Sequence, residues 1–139
     1  MLNIKIIAIG TMENYFADAF AEYQKRLQKY CKFSIDVVKD TDAIKRALPK
    51  KCVIILCDVL GMQVSSTDLA NQLESIAMTH GAVTFIIGGS DGVGNSLDDV
   101  VHRKMSFGKI TLPHQLFRVI LIEQIYRALT ILKGEKYHK

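Results

Sequence analysis

The chain has 139 residues, 49% hydrophobic and 23% charged, enough for one domain spanning 1–139 with a real core and not for two. No apolar run approaches the roughly 20 residues that span a bilayer, and the opening MLNIKIIAIG lacks the basic start and cleavage site of a secretory signal, so a protein of the cytoplasm with no membrane partner is expected. The net charge of +4 is unevenly spread: residues 102–139 carry eight Lys and Arg against Glu123 and Glu135, which leaves the first 101 residues slightly acidic. A basic end of this kind is either a solvated face or the electrostatic footprint of a nucleic-acid surface.

In chain order, Ile4–Ile9 is a short run rich in β-branched residues and predicts a strand. Phe16, Phe20, Tyr23, Leu27 and Tyr30 then repeat at three- and four-residue steps, one stripe of an amphipathic helix. Phe33–Val38 predicts a second strand, Asp42–Leu48 a short helix ended by Pro49, and Cys52–Val59 a third strand. Ser65-Ser66-Thr67-Asp68 has the spacing of a capping box, with Leu69, Leu73 and Ile76 as the apolar face of the helix it opens. Val83–Ile87 predicts a strand, Ser96–Arg103 a further short helix, and the surroundings of Met105–Leu112 the last strand. The final helix, about Gln115–Leu132, is apolar on more than one side and requires burial in its own domain or against a second subunit. Alternation of strands and helices implies an α/β sandwich on a largely parallel sheet. Cys31, Cys52 and Cys57 are odd in number and unclustered, the pattern of reduced, buried thiols rather than of a disulfide or metal site.

In open parallel sheets ligands bind beyond the carboxyl ends of the strands. Two loops there stand out. Gly88-Gly89-Ser90-Asp91-Gly92-Val93-Gly94 places four glycines in seven residues directly behind a buried strand, either a plain tight turn or a backbone shaped for close approach to a ligand. It matches neither the P-loop nor the dinucleotide fingerprint. Gly108-Lys109-Ile110-Thr111-Leu112-Pro113-His114-Gln115 is the second; Pro113 takes the chain out of the ladder and into the last helix. His114 at that helix start is a general base, a nucleic-acid contact or a packing residue. Arg118, Glu123 and Arg127 interrupt the apolar helix; Glu123 and Arg127 are spaced for an ion pair, and an Arg here is alternatively aimed at a phosphate or base carbonyl. Gly134 ends the helix, and Glu135–Lys139 follows as a tail.

Taken together, Ile87-Gly88-Gly89-Ser90-Asp91-Gly92, the block Leu112-Pro113-His114-Gln115-Leu116 with Arg118 to Ala128, and the terminal Tyr137-His138-Lys139 closely resemble the RlmH family, and the resemblance spans the whole chain from Ala8-Ile9-Gly10-Thr11 onward. These are bacterial methyltransferases acting on N3 of a pseudouridine in large-subunit ribosomal RNA. The resemblance implies a SPOUT fold with a C-terminal deep trefoil knot, a topology that the usual rule against threading discards. It implies S-adenosyl-L-methionine as cofactor, held by Leu56 and Cys57, by Gly88 and Gly89, and by Gly108, Lys109, Ile110, Thr111, Leu112 and Pro113. It implies a homodimer acting on 23S rRNA within the 70S ribosome. It has Tyr137-His138 close over the active site and Arg127 line it; the chemistry of N3 methylation then predicts that Arg127 stabilises charge on the base, His114 or His138 accepts the proton or contacts RNA, and Tyr137 stacks on the base. The sequence departs from the family around Leu56–Gly61, where Met62 stands in place of a common Lys, and is shorter between Lys39 and Cys52. A non-catalytic RNA-binding module and a dinucleotide-dependent oxidoreductase are the competing readings; cofactor binding without RNA separates the first, and the absent first-strand fingerprint speaks against the second.

Overall fold

The apolar runs form five strands, and every neighbouring pair of strands is parallel, in the computed structural model, which describes all residues 1–139. These are β1 (Asn3–Ile9), β2 (Lys32–Val38), β3 (Val53–Gln63), β4 (Ala82–Ile87) and β5 (Arg103–Ser106), in the spatial order β2-β1-β4-β3-β5. The helices are α1 (Asn14–Leu27), α2 (Thr41–Ala47), α3 (Ser66–Thr79) and α4 (His114–Leu132).

Both faces of the sheet are covered, which is why its central strands read as nearly continuous apolar runs. Successive strand residues point to opposite faces: Ile4, Ile6 and Ala8 join the larger core with Leu69, Leu73 and Ile76 of α3 and Leu121, Ile122 and Ile125 of α4. Ile7, Ile54, Leu56 and Ile86 point the other way, onto Ile44 of α2 and Leu97. The capping box at the start of α3 is complete: the Asp68 amide donates to the Ser65 hydroxyl at 3.0 Å and the Ser65 amide to the Asp68 carboxylate at 2.9 Å. Asp40 caps α2 by a single side-chain bond, accepting from the Ala43 amide at 2.8 Å.

Three expected elements differ. Ser96–Arg103 is not a helix. Its bonds mostly join residues three apart, as from Asp98 to Asn95 and from Val100 to Leu97, because Leu97 is drawn under the sheet while Asp98 and Asp99 are held by Lys104 and Lys45. The last strand is confined to Arg103–Ser106 and the rest of Met105–Leu112 leaves the sheet. β3 is correspondingly longer than expected and bulged, since both Cys57 and Met62 pair with Met105 and residues 58–61 are looped out between them. A Cβ on Gly61 would lie 2.6 Å from the backbone of Lys104 and Met105, so only glycine allows that approach. The start of β5 is fastened by a side chain: the Ile54 amide donates to His102 Nδ1 at 2.8 Å, and the His102 amide returns a bond to the Ile54 carbonyl.

From β5 at the sheet edge, residues 107–113 cross the carboxyl ends of β3 and β4 and deliver α4 beside β1. The crossing is pinned by Phe107 stacked on Phe117, with ring centroids 5.5 Å apart, and by the Ser106 hydroxyl, which donates to the Gly108 carbonyl at 2.7 Å and accepts from its amide at 3.1 Å.

Candidate active site

A crevice of about 1110 Å³ opens at the carboxyl ends of β3, β4 and β5. Its walls come from three chain segments far apart in sequence: Leu56 to Leu60, Ile87 to Gly94, and Met105 to His114, with Phe117 and Ile120 of α4 behind them. Half of its 24 lining residues are hydrophobic, and the polar remainder is largely backbone and small side chains, a lining suited to a nucleoside-sized ligand. All ten residues singled out for a cofactor, Leu56, Cys57, Gly88, Gly89 and Gly108 to Pro113, line it.

The glycines are there for steric reasons. A Cβ on Gly88 would meet Val93 at 3.2 Å, and one on Gly89 would meet Ile9 at 3.3 Å, so packing against neighbouring side chains leaves little room for anything larger at either position. Gly108 has φ +141°, open only to glycine, where the third segment turns. Cys57 lies on the floor, and burial pushes its thiol well above the ordinary range, so it is an uncharged apolar surface rather than a nucleophile.

The four residues singled out for chemistry divide into two groups. His114 borders the crevice. Arg127, Tyr137 and His138 assemble elsewhere on α4, around Glu123. Arg127 Nη2 lies 2.8 Å from Glu123 Oε2, the Tyr137 hydroxyl donates to the same oxygen at 2.7 Å, and Arg127 Nη1 is 3.2 Å from His138 Nδ1. The guanidinium carbon sits 4.8 Å from the centre of the Tyr137 ring, which packs edge-on against Tyr126. The Glu123–Arg127 spacing is thus an ion pair, and the same carboxylate holds the tail. The hydrogen bond to Glu123 raises the Arg127 pKa, and desolvation, with bonds to Tyr23 and Glu123, raises that of the Tyr137 phenol, so the first stays charged and the second protonated. Glu135 of the tail is held by Tyr30, whose hydroxyl donates at 2.6 Å. None of Arg127, Tyr137 or His138 lines the crevice of its own chain.

Sequence reasoning passed over Phe117, Ile120 and Asp58 in the crevice wall and left Arg118 with an open role. Arg118 is completely buried, and its Nη2 donates to the carbonyls of Ile9 and Gly10, both at 2.6 Å. The only available signal was a charge on an apolar helix face. No grouping of His, Cys, Asp and Glu is arranged to hold a metal ion.

A parallel sheet with a glycine-lined crevice, closed by a segment that crosses the strand ends, is matched over residues 2–138 by the family model described as "Predicted SPOUT methyltransferase". The chain belongs to the SPOUT methyltransferase family. Solved structures with the same fold include a "probable methyltransferase" from Bordetella pertussis (TM-score 0.66, 12% identity, 92% of this chain and 95% of that one) and a "probable methylase family protein" from Haemophilus influenzae (TM-score 0.63, 14% identity, 99% and 71%). Within the family it groups with the ribosomal RNA large subunit methyltransferases H. The protein of that name from Lactobacillus helveticus is 40% identical over 159 aligned positions (99% of this chain, all of that one), and the one from Caldicellulosiruptor bescii is 40% identical over 153 (98% and 99%).

Proposed function

We propose that this chain transfers a methyl group from S-adenosyl-L-methionine to N3 of a pseudouridine in 23S rRNA, acting as a cytoplasmic homodimer on the assembled 70S ribosome. The single observation that carries the reading is the coincidence of the family match with one crevice built from three strand-end segments, two of them glycine-bearing. The residues fit the cofactor: Gly88 and Gly89 line the crevice without side chains, and Leu56, Cys57, Ile110 and Leu112 offer an apolar bed. When bound, S-adenosyl-L-methionine supplies an electrophilic methyl group.

The protein's own tasks are alignment and charge control. N3 of pseudouridine is an imide nitrogen that gives up its proton as the N–CH₃ bond forms and the sulfonium S–CH₃ bond breaks, and negative charge develops on the flanking carbonyls. Arg127, kept cationic by Glu123, stabilises that charge; Tyr137 stacks on the base; His114 or His138 receives the proton or contacts RNA. Because Arg127, Tyr137 and His138 stand apart from the crevice of their own chain, the homodimer reading has them serve a partner's crevice, with the half-buried Leu116, Phe117, Val119 and Ile120 of α4 as the contact surface. The reading includes the deep trefoil knot, supported by the passage of residues 107–113 from the sheet edge across two strands to β1.

The test is transfer of labelled methyl to 70S ribosomes lacking the modification, followed by mass-spectrometric mapping. Label on N3-methylpseudouridine of the large subunit is expected. Ribosome binding without cofactor binding or transfer would replace the reading with a non-catalytic module.

A further inference from the structure

Beyond the crevice, two helices begin at the same point. α4 starts behind Pro113, which offers no side-chain cap, and the first internal amide bond is that of Phe117, so the His114, Gln115 and Leu116 amides have no acceptor in the protein. α1 starts behind Glu13, likewise without a side-chain cap, and its first three amides are equally unfilled. The two starts are joined directly, since the Glu13 amide donates to the Gln115 side-chain oxygen at 2.6 Å.

Arg118 ends at this junction. Its Nη2 lies on the Ile9 and Gly10 carbonyls at the foot of α1, close to the His114 ring: a Cβ on Gly10 would be 3.7 Å from His114 Nε2 and 3.9 Å from Arg118 Nη2. Arg118 Nε and Nη1 are buried with no partner, and no carboxylate pairs with the guanidinium. A buried cation without counter-ion is costly, and here it stands at two positive helix ends, the arrangement that collects anions. Thr11, Glu13 and Asn14 are exposed, so the junction is open to a large ligand; the Glu13 carboxylate, bonded to nothing, is the one opposing charge.

We infer that the junction of the α1 and α4 starts, backed by Arg118, is an oxyanion subsite beside the crevice, and that it takes a backbone phosphate of the substrate RNA. The choice of source rests on the methyltransferase reading above; the carboxylate of the methyl donor is the other oxyanion within that reading.

Inorganic phosphate is the first probe, titrated into the ¹⁵N-labelled full chain. Saturable shifts of the Thr11, Asn14, His114 and Gln115 amides are expected, lost in Arg118→Met and weakened at least tenfold in Thr11→Glu, which adds a repelling charge on an exposed position and leaves the Arg118 and Glu13–Gln115 bonds intact. No shifts in the unaltered protein would overturn the subsite whether or not it binds S-adenosyl-L-methionine, and cofactor binding alone tests the function reading. For the source, Thr11→Glu should raise the KM for ribosomal substrate about tenfold or more, reduce the salt slope of RNA binding by about one, and leave cofactor affinity unchanged. If cofactor affinity falls instead, and the decarboxylated donor binds both proteins equally, the phosphate assignment is overturned in favour of the carboxylate.

Discussion

Tyr137 and Arg127 share one carboxylate oxygen of Glu123, the phenol at 2.7 Å and the guanidinium at 2.8 Å. Glu123 is thus the group that ties the tail to α4 and at the same time fixes the cation. Glu123→Gln keeps the shape, removes the charge and loosens both contacts. Methylation is expected to fall about ten- to a hundredfold in kcat/KM, with cofactor affinity unchanged by calorimetry. Full activity in this variant would remove the tail from the chemistry.

The Tyr137 phenol carries a pH dependence of its own. Its folded pKa is raised above the ordinary value of about 10, first by desolvation and then by its bonds to Tyr23 and Glu123. A group raised in this way contributes stability in full below the unfolded pKa and loses it as pH rises through the folded one. The stability difference between the unaltered protein and Tyr137→Phe should therefore be constant in neutral solution and shrink above about pH 10, read by urea unfolding at stepped pH.

Asp68 runs the opposite way. The Ser65 amide holds its carboxylate below the usual range, so its contribution is present above the unfolded pKa and disappears as pH falls through the lowered one. Ser65→Ala should cost about 1 kcal/mol at neutral pH, and Asp68→Asn should remove the acid-side loss. An unchanged acid limb in Asp68→Asn would show that the box does not set it.

Gly61 and Gly81 make a matched pair for the β3 bulge. Alanine at Gly61 places a Cβ 2.6 Å from backbone atoms of Lys104 and Met105, whereas at Gly81 nothing lies within 4 Å and only the φ of +74° is strained. Gly81→Ala should cost about 1–2 kcal/mol. Gly61→Ala should cost more, because main chain has to move, and should weaken cofactor binding through the displaced 58–60 wall; thermal unfolding and calorimetry measure the two.

The elements legible in the sequence were those written in short-range code. The capping box of Ser65 and Asp68, the stripe of α1 and the buried strand before Gly88 each need only a few neighbouring residues, and the structure has them in place, though α1 ends at Leu27 and leaves Tyr30, the last of the stripe, three residues beyond it. Ser96–Arg103 misled because Leu97 has the apolar character of a helix face while its segment is held by Asp98 and Asp99 to β5 and α2, partners that no local pattern names. The site followed the same division. The glycine loops could be read directly, but the grouping of Arg127, Tyr137 and His138 came only from the family resemblance. Arg118 showed as an odd charge, and its partners, 109 and 108 residues away, left no trace near it.

Those separations bear on how the chain reaches its native state. The first strand made meets its clasp last: Ile9 and Gly10 wait for Arg118, Glu13 for Gln115 and Tyr30 for Glu135, each across more than 100 residues. Closing such long loops is entropically expensive before any contact repays it. Slow folding is the expectation, and contacts between the ends that form only after the transition state would slow unfolding as well. On that expectation, substitutions in these end contacts change the lifetime of the native state through the unfolding rate while leaving the folding rate nearly unchanged.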